Sequence, residues 1–133
     1  MIRDPLASPK LTTDEIAELV RGSLESADHN AYRLLLDPNV HWGPPDDRAA
    51  GCRNRNEVLA WYQRGRAKGI RARVRETIVR GNHILIGMTL SGTPSPTPSD
   101  EKTDRWQVLT VVCGRVTGIR GFNTREGAVA RLL

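Results

Sequence analysis

The stretch IVRGNHILIGMTLSG, residues 78–92, decides the fold prediction because it is typical of two strands joined by a tight turn. Its centre is the dipeptide Gly81-Asn82, a pair common in two-residue hairpin turns, where positive backbone angles are required. After the turn, apolar residues occur at both odd and even positions between Ile84 and Leu90. A strand that is apolar on both faces must be covered on both faces. The hairpin is therefore predicted to lie inside a core.

Further strands extend this hairpin into an antiparallel meander. A third strand is predicted over residues 105–113 and a fourth over residues 116–122, with a turn at Gly114-Arg115 between them. The connection between the second and third strands is rich in proline and small polar side chains, as exposed connections are. Its proline-rich part, residues 93–98, is predicted to be either a lid or a plain linker.

Helical patterns fill the first half of the chain. Thr12 and Glu15 have the spacing of a capping box, which satisfies free N–H groups at a helix start, and apolar residues then recur at three- and four-residue steps. Asp28 is placed to cap a second, short helix, and Pro38 is expected to close it because proline cannot continue a helix. Residues 40–42 are then predicted to form a short strand.

Two more helices are predicted from the same kind of signal. Asn54 and Glu57 again have capping spacing, and the amphipathic helix that follows is expected to end near Gly65 or Gly69. Thr124 is expected to cap a terminal helix that closes the chain.

The order of these elements predicts one α+β domain over residues 12–133, preceded by a flexible lead-in over residues 1–11. The helices are expected to gather on one face of the antiparallel sheet. Since several strands carry apolar side chains on both faces, the other face needs a separate cover. We therefore predict a homodimer that forms through the outer face of the sheet.

The composition is that of a globular chain that folds without cross-links. The chain has 133 residues, of which 38% are hydrophobic and 26% charged, and this length suffices to bury a core. Cys52 and Cys113 lack metal-site spacing, so neither a metal nor another cofactor is expected. No apolar run reaches the about 18 residues of a membrane span, and the N-terminus lacks the apolar run of a secretory signal. The predicted location is cytoplasmic.

The formal net charge of +5 favours acidic partners in general. The arginines are spread along the chain, and their local cluster lies between residues 64 and 75. Its strand part alternates Arg71, Arg73 and Arg75 with small apolar residues, which predicts a solvated outer face. A protein that binds single-stranded nucleic acid would need aromatic side chains between these arginines, and none are present. We therefore expect no nucleic-acid partner, while Arg-dependent binding of another acidic partner stays open.

Four segments resemble the nuclear transport factor 2-like superfamily, and its SnoaL-like branch in particular. They are similar to the link between the first helix and the first strand, the start of the third helix, the first long hairpin, and the last hairpin with its closing helix. The segments are SADHNAYRLLLDPNVHW (26–42), GCRNRNEVLAWY (51–62), IVRGNHILIGMTLSG (78–92) and VVCGRVTGIRGFNTREGAVARL (111–132). The resemblance implies a cone-shaped, cystatin-like half-barrel, in which N-terminal helices wrap a curved antiparallel sheet and enclose a pocket, with a short C-terminal helix.

The resemblance also implies positions for catalytic groups, and three of these positions lack them. The steroid isomerase branch places a base carboxylate just after the first strand, where this chain has Gly43. The limonene epoxide hydrolase branch needs an arginine and an aspartate in the strand HILIGMTL (83–90), which contains neither. The SnoaL-type cyclases use an acidic residue near the end of the last strand, where residues 119–123 contain no acid. The known catalytic carboxylates of the related families are therefore predicted to be absent.

Two other residues are candidates for acid–base chemistry, which needs a titratable group in a cleft. Glu76 follows the alternation of Val74 and Ile78, so its carboxylate is expected on the apolar side of the strand unless a bulge turns it to solvent. His41 lies at the pocket opening by analogy with the family. It alternates with Trp42, however, and Trp42 is expected to take the inward position.

The residues predicted to bind a ligand are mostly aromatic or apolar, as in most small-molecule pockets. By analogy with the family, Arg120 and Asn123 approach the open end of the pocket, and Arg120 can hold an anionic group through its planar donors. The predicted set is Tyr32, Trp42, Trp61, Met88, Trp106, Arg120 and Asn123.

Three functions stay open on the sequence. The favoured one is binding of a small, largely hydrophobic molecule between sheet and helices, without a catalytic step assigned. The second is an enzyme of the isomerase, lyase or polyketide-cyclase type with Glu76 or His41 as its acid–base group. The third is Arg-dependent binding of an acidic partner. The first two are separated by whether Glu76 and His41 face the cavity.

Overall fold

The computed structural model describes residues 11–43, 51–92 and 102–132. The predicted proline-rich segment 93–98, and residues 1–10 of the predicted lead-in, lie outside the described residues. No described helix is long and apolar enough to cross a membrane. The elements, in chain order, are α1 Thr13–Ser26, α2 His29–Leu35, β1 Leu36–Gly43, α3 Arg55–Ala67, β2 Arg71–Arg80, β3 His83–Ser91, β4 Lys102–Val112, β5 Arg115–Phe122 and α4 Arg125–Leu132.

The strands form one sheet in the order β1-β5-β4-β3-β2, which confirms the predicted α+β class. Strands β2 to β5 are the predicted antiparallel meander, and β1 runs parallel to β5. Gly81 and Asn82 form the turn between β2 and β3, as predicted. The second turn was predicted one residue too late. It consists of Cys113 and Gly114, which have φ angles of 52° and 77°, and β5 already begins at Arg115.

The predicted capping residues begin the first three helices. The hydroxyl of Thr12 accepts the Glu15 N–H at 3.1 Å, and the Glu15 carboxylate accepts the Thr12 N–H at 2.9 Å. Asp28 and Asn54 each accept a hydrogen bond at 3.0 Å from the backbone N–H three residues further on. Because these bonds satisfy otherwise free N–H groups, they fix where each helix begins.

The first strand is longer than predicted, and Pro38 does not end the preceding helix. Helix α2 ends at Leu35, and Leu36 already has extended backbone angles. Pro38 is exposed inside β1. This position is tolerated because β1 is an edge strand, where one side of the backbone makes no ladder hydrogen bonds.

A β-bulge in β2 changes which face its side chains occupy. Val74 pairs with Met88, and Glu76 pairs with Gly87, so Arg75 is an extra residue between two consecutive pairs. A bulge of this kind resets the alternation of the strand. The bulge given as the alternative for Glu76 is therefore confirmed, and the alternation with Val74 does not hold. Glu76 lies on the opposite face.

Both faces of the sheet are covered by helices. The inner face, which carries Ile84 and Ile86, packs against α1, α2 and α3 in the main core. The outer face carries Leu85 and Val108, which pack against α4 in a second, smaller core. The expectation that helices cover only one face is therefore wrong. The homodimer through the remaining outer face stays a prediction.

Candidate functional site

A cavity of about 690 Å³ lies between the inner face of the sheet and the helices. Its walls come from the C-terminal part of α1, from α2, and from the length of α3. The strands contribute the ends of β1, β3 and β5 and the beginnings of β2 and β4. These strand termini all lie at the end of the sheet opposite the two tight turns. The cavity therefore occupies one end of the domain, away from both hairpin turns.

Four aromatic side chains form one wall of this cavity, and we call them the aromatic wall: Tyr32, Trp42, Trp61 and Tyr62. Trp42 stacks on Tyr62 with ring centroids 5.1 Å apart and meets Trp61 edge-on at 4.4 Å. Tyr62 meets Tyr32 edge-on at 5.4 Å. Both arrangements are favourable for aromatic pairs. Since Trp61 is 46% exposed, part of the wall faces solvent.

The buried hydroxyls behind this wall form a small polar group. Gln107 Nε2 donates a hydrogen bond to the Tyr62 hydroxyl at 3.2 Å. The Tyr32 hydroxyl interacts with that of Tyr62, but it makes no hydrogen bond of good geometry with any described residue. Burial raises the pKa of both tyrosines, most strongly that of Tyr32. Both phenols therefore stay protonated at neutral pH.

Four exposed arginines also line the cavity, and we call them the arginine rim: Arg64, Arg66, Arg71 and Arg105. Two come from the end of α3, one from the start of β2 and one from β4. Within the described parts of the chain, none of them forms an ion pair. Arg71 donates to the carbonyls of Arg66 and Ile70, and Arg105 donates to a neighbouring carbonyl. The rim is therefore a region of positive charge beside the aromatic wall.

Cys52 lines the same cavity and is held there by backbone hydrogen bonds to Trp42 at 2.7 and 2.9 Å. Partial burial, and then the charge of Glu57, raise the pKa of the Cys52 thiol, while Arg64 lowers it in part. A thiol with a raised pKa is a poor nucleophile at neutral pH. Cys52 is therefore better suited to contact a ligand than to attack one.

The cavity brings together all but one of the residues predicted to bind a ligand. Arg120 is the exception. It pairs with Val108 across β5 and β4, so it lies on the outer face of the sheet, which α4 covers. The expectation that Arg120 reaches the pocket is corrected accordingly. The predicted residues that line the cavity are Tyr32, Trp42, Trp61, Met88, Trp106 and Asn123. Of these, Trp106 reaches the cavity only at its edge, because its side chain packs in the smaller core of the outer face.

Glu76 does not line the cavity. On the outer face its carboxylate accepts hydrogen bonds from Arg125 Nε at 2.7 Å and Nη2 at 3.3 Å. The hydrogen bond from Arg125 holds the pKa of the Glu76 carboxyl below its ordinary value, although burial opposes this shift. A carboxylate that stays ionised near neutral pH is a poor general acid. Glu76 therefore acts as a link between β2 and α4.

His41 does not line the cavity either. It is exposed in β1, between Val40, which is buried, and Trp42, which belongs to the aromatic wall. The alternation of the strand accounts for this placement, because neighbouring side chains point to opposite faces. Neither predicted acid–base candidate is thus positioned to reach a molecule in the cavity.

The predicted set omitted Tyr62 and Gln107, and it did not anticipate the arginine rim. Gln107 carries a usable signal, because it is a polar residue in step with the apolar Leu109 and Val111 of a buried strand. Three members of the rim lie in the local arginine cluster between residues 64 and 75, but nothing in the sequence places Arg105 beside them. Arg105 joins Arg64 and Arg71 because β2 and β4 begin at the same end of the folded sheet.

Comparison with known proteins identifies the family of the chain. The sequence profile of the SnoaL-like domain matches residues 16–119. A search of curated protein sequences found no match.

Solved structures share the fold at low sequence identity. A candidate ketosteroid isomerase from Kribbella flavida has a TM-score of 0.69 and 19% identity, covering 85% of this chain and 78% of its own. A candidate polyketide cyclase from Pseudomonas putida has a TM-score of 0.67 and 14% identity over 92% and 99% of the two chains. An epoxide hydrolase from M. tuberculosis has a TM-score of 0.63 and 15% identity over 90% and 88%. The structural likenesses show a fold of the nuclear transport factor 2-like kind, and the profile match shows that the chain belongs to the SnoaL-like domain family.

Proposed function

We propose that this chain binds a small, largely hydrophobic molecule in the cavity between the sheet and the helices. The observation that carries the proposal is a cavity of about 690 Å³ with an aromatic wall. Sites for small organic ligands have this size and are lined mainly by apolar and aromatic side chains with a few polar groups. The names of the structural relatives refer to small organic molecules of the same kind: a ketosteroid, a polyketide and an epoxide.

Binding is favoured over acid–base catalysis by the positions of the ionisable groups. Glu76 is engaged by Arg125 on the outer face, and His41 points away from the aromatic wall. Among the described cavity residues, Glu57 is the one carboxylate and His29 the one histidine, and they lie in the first turns of α3 and α2. The proposal assigns binding to this cavity and no catalytic step to Glu76, His41 or Glu57.

The proposal is tested with N-phenyl-1-naphthylamine, a neutral aromatic probe whose fluorescence rises in apolar surroundings. The wild-type chain is expected to bind the probe saturably and to melt at a higher temperature in its presence, because a ligand of the folded state stabilises it. A chain that binds no probe and shows no shift in melting temperature contradicts the proposal.

Gly121 offers a matched pair of variants for this test. It lines the cavity, and an added Cβ would meet Trp42 Nε1 at 3.8 Å, which is ordinary contact. Gly121→Ala should therefore keep probe binding, whereas Gly121→Phe fills the cavity and should weaken binding by about tenfold or more. Circular dichroism and the melting temperature establish that both variants are folded. If a folded Gly121→Phe binds like wild type, the probe site lies elsewhere and the proposal fails.

A further inference from the structure

The positive charges of the arginine rim outnumber the negative charges of the cavity wall. Arg64 and Arg66 end α3, Arg71 begins β2, and Arg105 lies in β4, yet all four line one cavity. The described cavity residues include a single carboxylate, that of Glu57. Glu57 lies seven residues before Arg64 in α3, about 10 Å along the helix axis. That separation exceeds the distance of about 8 Å over which salt screens exposed charges under physiological conditions.

The guanidinium groups of the rim are available to a ligand. All four side chains are exposed, and Arg71 and Arg105 use Nη1 to donate to backbone carbonyls, which leaves their other N–H groups. By contrast, Arg21 and Arg125 have carboxylate partners. The charges of Glu57 and Arg64 both act on the thiol of Cys52 in the cavity wall, and that of Glu57 acts more strongly. Among the described residues, the four guanidinium groups of the rim therefore line the cavity without a carboxylate partner.

We propose that the ligand of this cavity is an amphipathic anion: an apolar ring system that packs on the aromatic wall and carries one carboxylate or similar oxyanion at the arginine rim. This inference rests on the proposed function and adds the chemical class of the ligand. Guanidinium groups suit this role because their planar N–H donors match the two oxygens of a carboxylate. Trp61 and Arg64 lie about one turn apart on α3, so the wall and the rim are adjacent.

Two fluorescent probes separate the contribution of the anion from that of the rings. Both contain the N-phenylnaphthylamine ring system, but 1-anilinonaphthalene-8-sulfonate carries one sulfonate, whereas N-phenyl-1-naphthylamine is neutral. The wild-type chain is expected to bind the sulfonate more tightly than the neutral probe, by about three- to tenfold at low salt. Added sodium chloride should reduce this preference, because exposed charges are screened.

The decisive variant is the double substitution Arg64→Gln/Arg105→Gln. It should lower sulfonate affinity by about three- to tenfold and leave affinity for the neutral probe unchanged. The matched control is Arg115→Gln, an exposed arginine at the far end of β4 and β5, roughly 23 Å from Arg105 along the strand. This control removes a positive charge without touching the rim, so it should change neither affinity.

Each outcome decides one proposal. If the wild-type chain binds neither probe, the proposed function fails, and this inference fails with it. If both probes bind equally and the double variant changes neither affinity, the inference is overturned while the proposed function stands. If Arg115→Gln weakens sulfonate binding as much as the rim variant, net charge and not the rim is responsible, which also overturns the inference.

Discussion

The carboxylate of Glu76 in β2 and the guanidinium of Arg125 in α4 are joined by two hydrogen bonds, 2.7 and 3.3 Å long. This pair connects the strand beyond the bulge to the helix that covers the outer face. Its side chains are 30% and 52% exposed, so solvent screens the interaction and its contribution to stability is modest. The pair adds a polar contact to a helix whose buried side chains, Ala128 and Leu132, pack on the outer face of the sheet.

Glu76→Gln is expected to lower the melting temperature by no more than a few degrees at neutral pH, because one charge-assisted contact of an exposed pair is lost. Binding of N-phenyl-1-naphthylamine should be unchanged, since Glu76 does not line the cavity. Thermal unfolding and probe titration of the same preparation measure both effects. Loss of probe binding in a folded Glu76→Gln chain would place this residue in the site after all.

The same pair predicts a pH dependence. The pKa of Glu76 lies below its ordinary value of 4.5 in the folded chain, so the unfolded chain binds more protons and folding stability rises with pH in this range. The stabilisation is complete above 4.5 and is lost as the pH falls through the lowered pKa. The difference in melting temperature between wild type and Glu76→Gln should thus be constant near neutrality and shrink in acid. A difference that grows on acidification would contradict this sign.

Gly87→Ala is expected to destabilise the chain by about 1–3 kcal/mol, as overpacking of a filled site does. An added Cβ at Gly87 would lie 2.9 Å from both Glu76 Cγ and Trp106 Nε1. Gly22→Ala is the matched control, because nothing lies within 4 Å of the added atom in α1, and alanine is favoured over glycine in helices by up to about 1 kcal/mol. Urea unfolding of both variants measures this contrast. Equal effects of the two substitutions would show that Gly87 is not tightly enclosed.

Removing the hydroxyl of Tyr62 should lower the stability of the fold, whereas removing that of Tyr32 should not. Tyr62→Phe leaves the Gln107 Nε2 donor without its partner, which costs about 1–3 kcal/mol in a buried position. Tyr32→Phe removes a hydroxyl that has no well-formed hydrogen bond among the described residues, so it should be neutral or stabilising. Chemical denaturation of the two variants is the measurement. A large loss of stability for Tyr32→Phe would show that its hydroxyl bonds firmly to Tyr62 or to bound water.

Alkylation of the two cysteines should differ in rate. Cys113 is exposed in a turn, whereas Cys52 is partly buried in the cavity wall, and burial raises the pKa of its thiol. Since the thiolate is the reactive form, iodoacetamide should modify Cys113 first. Mass spectrometry follows both sites, and N-phenyl-1-naphthylamine should further slow the reaction at Cys52 only. Equal protection of both cysteines would argue against a probe site beside Cys52.

The sequence predicts most of the fold because the decisive signals are local. Thr12, Asp28 and Asn54 cap helices with their own side chains, and Gly81-Asn82 makes its own turn, so each acts on residues close by. The edge position of Pro38 depends on the pairing of β1 with β5 instead. Strands β1 and β5 are distant in sequence, and local sequence patterns do not indicate which distant strands pair.

The site was less predictable for the same reason. Trp42 and Trp61 follow from alternation and helical spacing, which hold along an undisturbed element. The faces of Glu76 and Arg120 do not, because β2 contains a bulge at Arg75 and β5 has a register shift against β4. Each irregularity reverses the alternation beyond it. Glu76 therefore takes the face that the bulge alternative predicts, whereas Arg120, placed at the pocket by family analogy, lies on the outer face.

Arg75, the extra residue in β2, separates the part of the strand that lines the cavity from the part that carries Glu76. Before Arg75 the strand contributes Arg71 and Ala72 to the ligand compartment, and after it Ile78 faces the outer core while Val79 faces the main core. Substitutions at Arg71 or Ala72 can thus change which molecules the compartment admits without removing the contact between Glu76 and Arg125. Deleting Arg75 would make Val74 and Glu76 direct neighbours on opposite faces, so their pairing with Met88 and Gly87 could continue as a regular ladder.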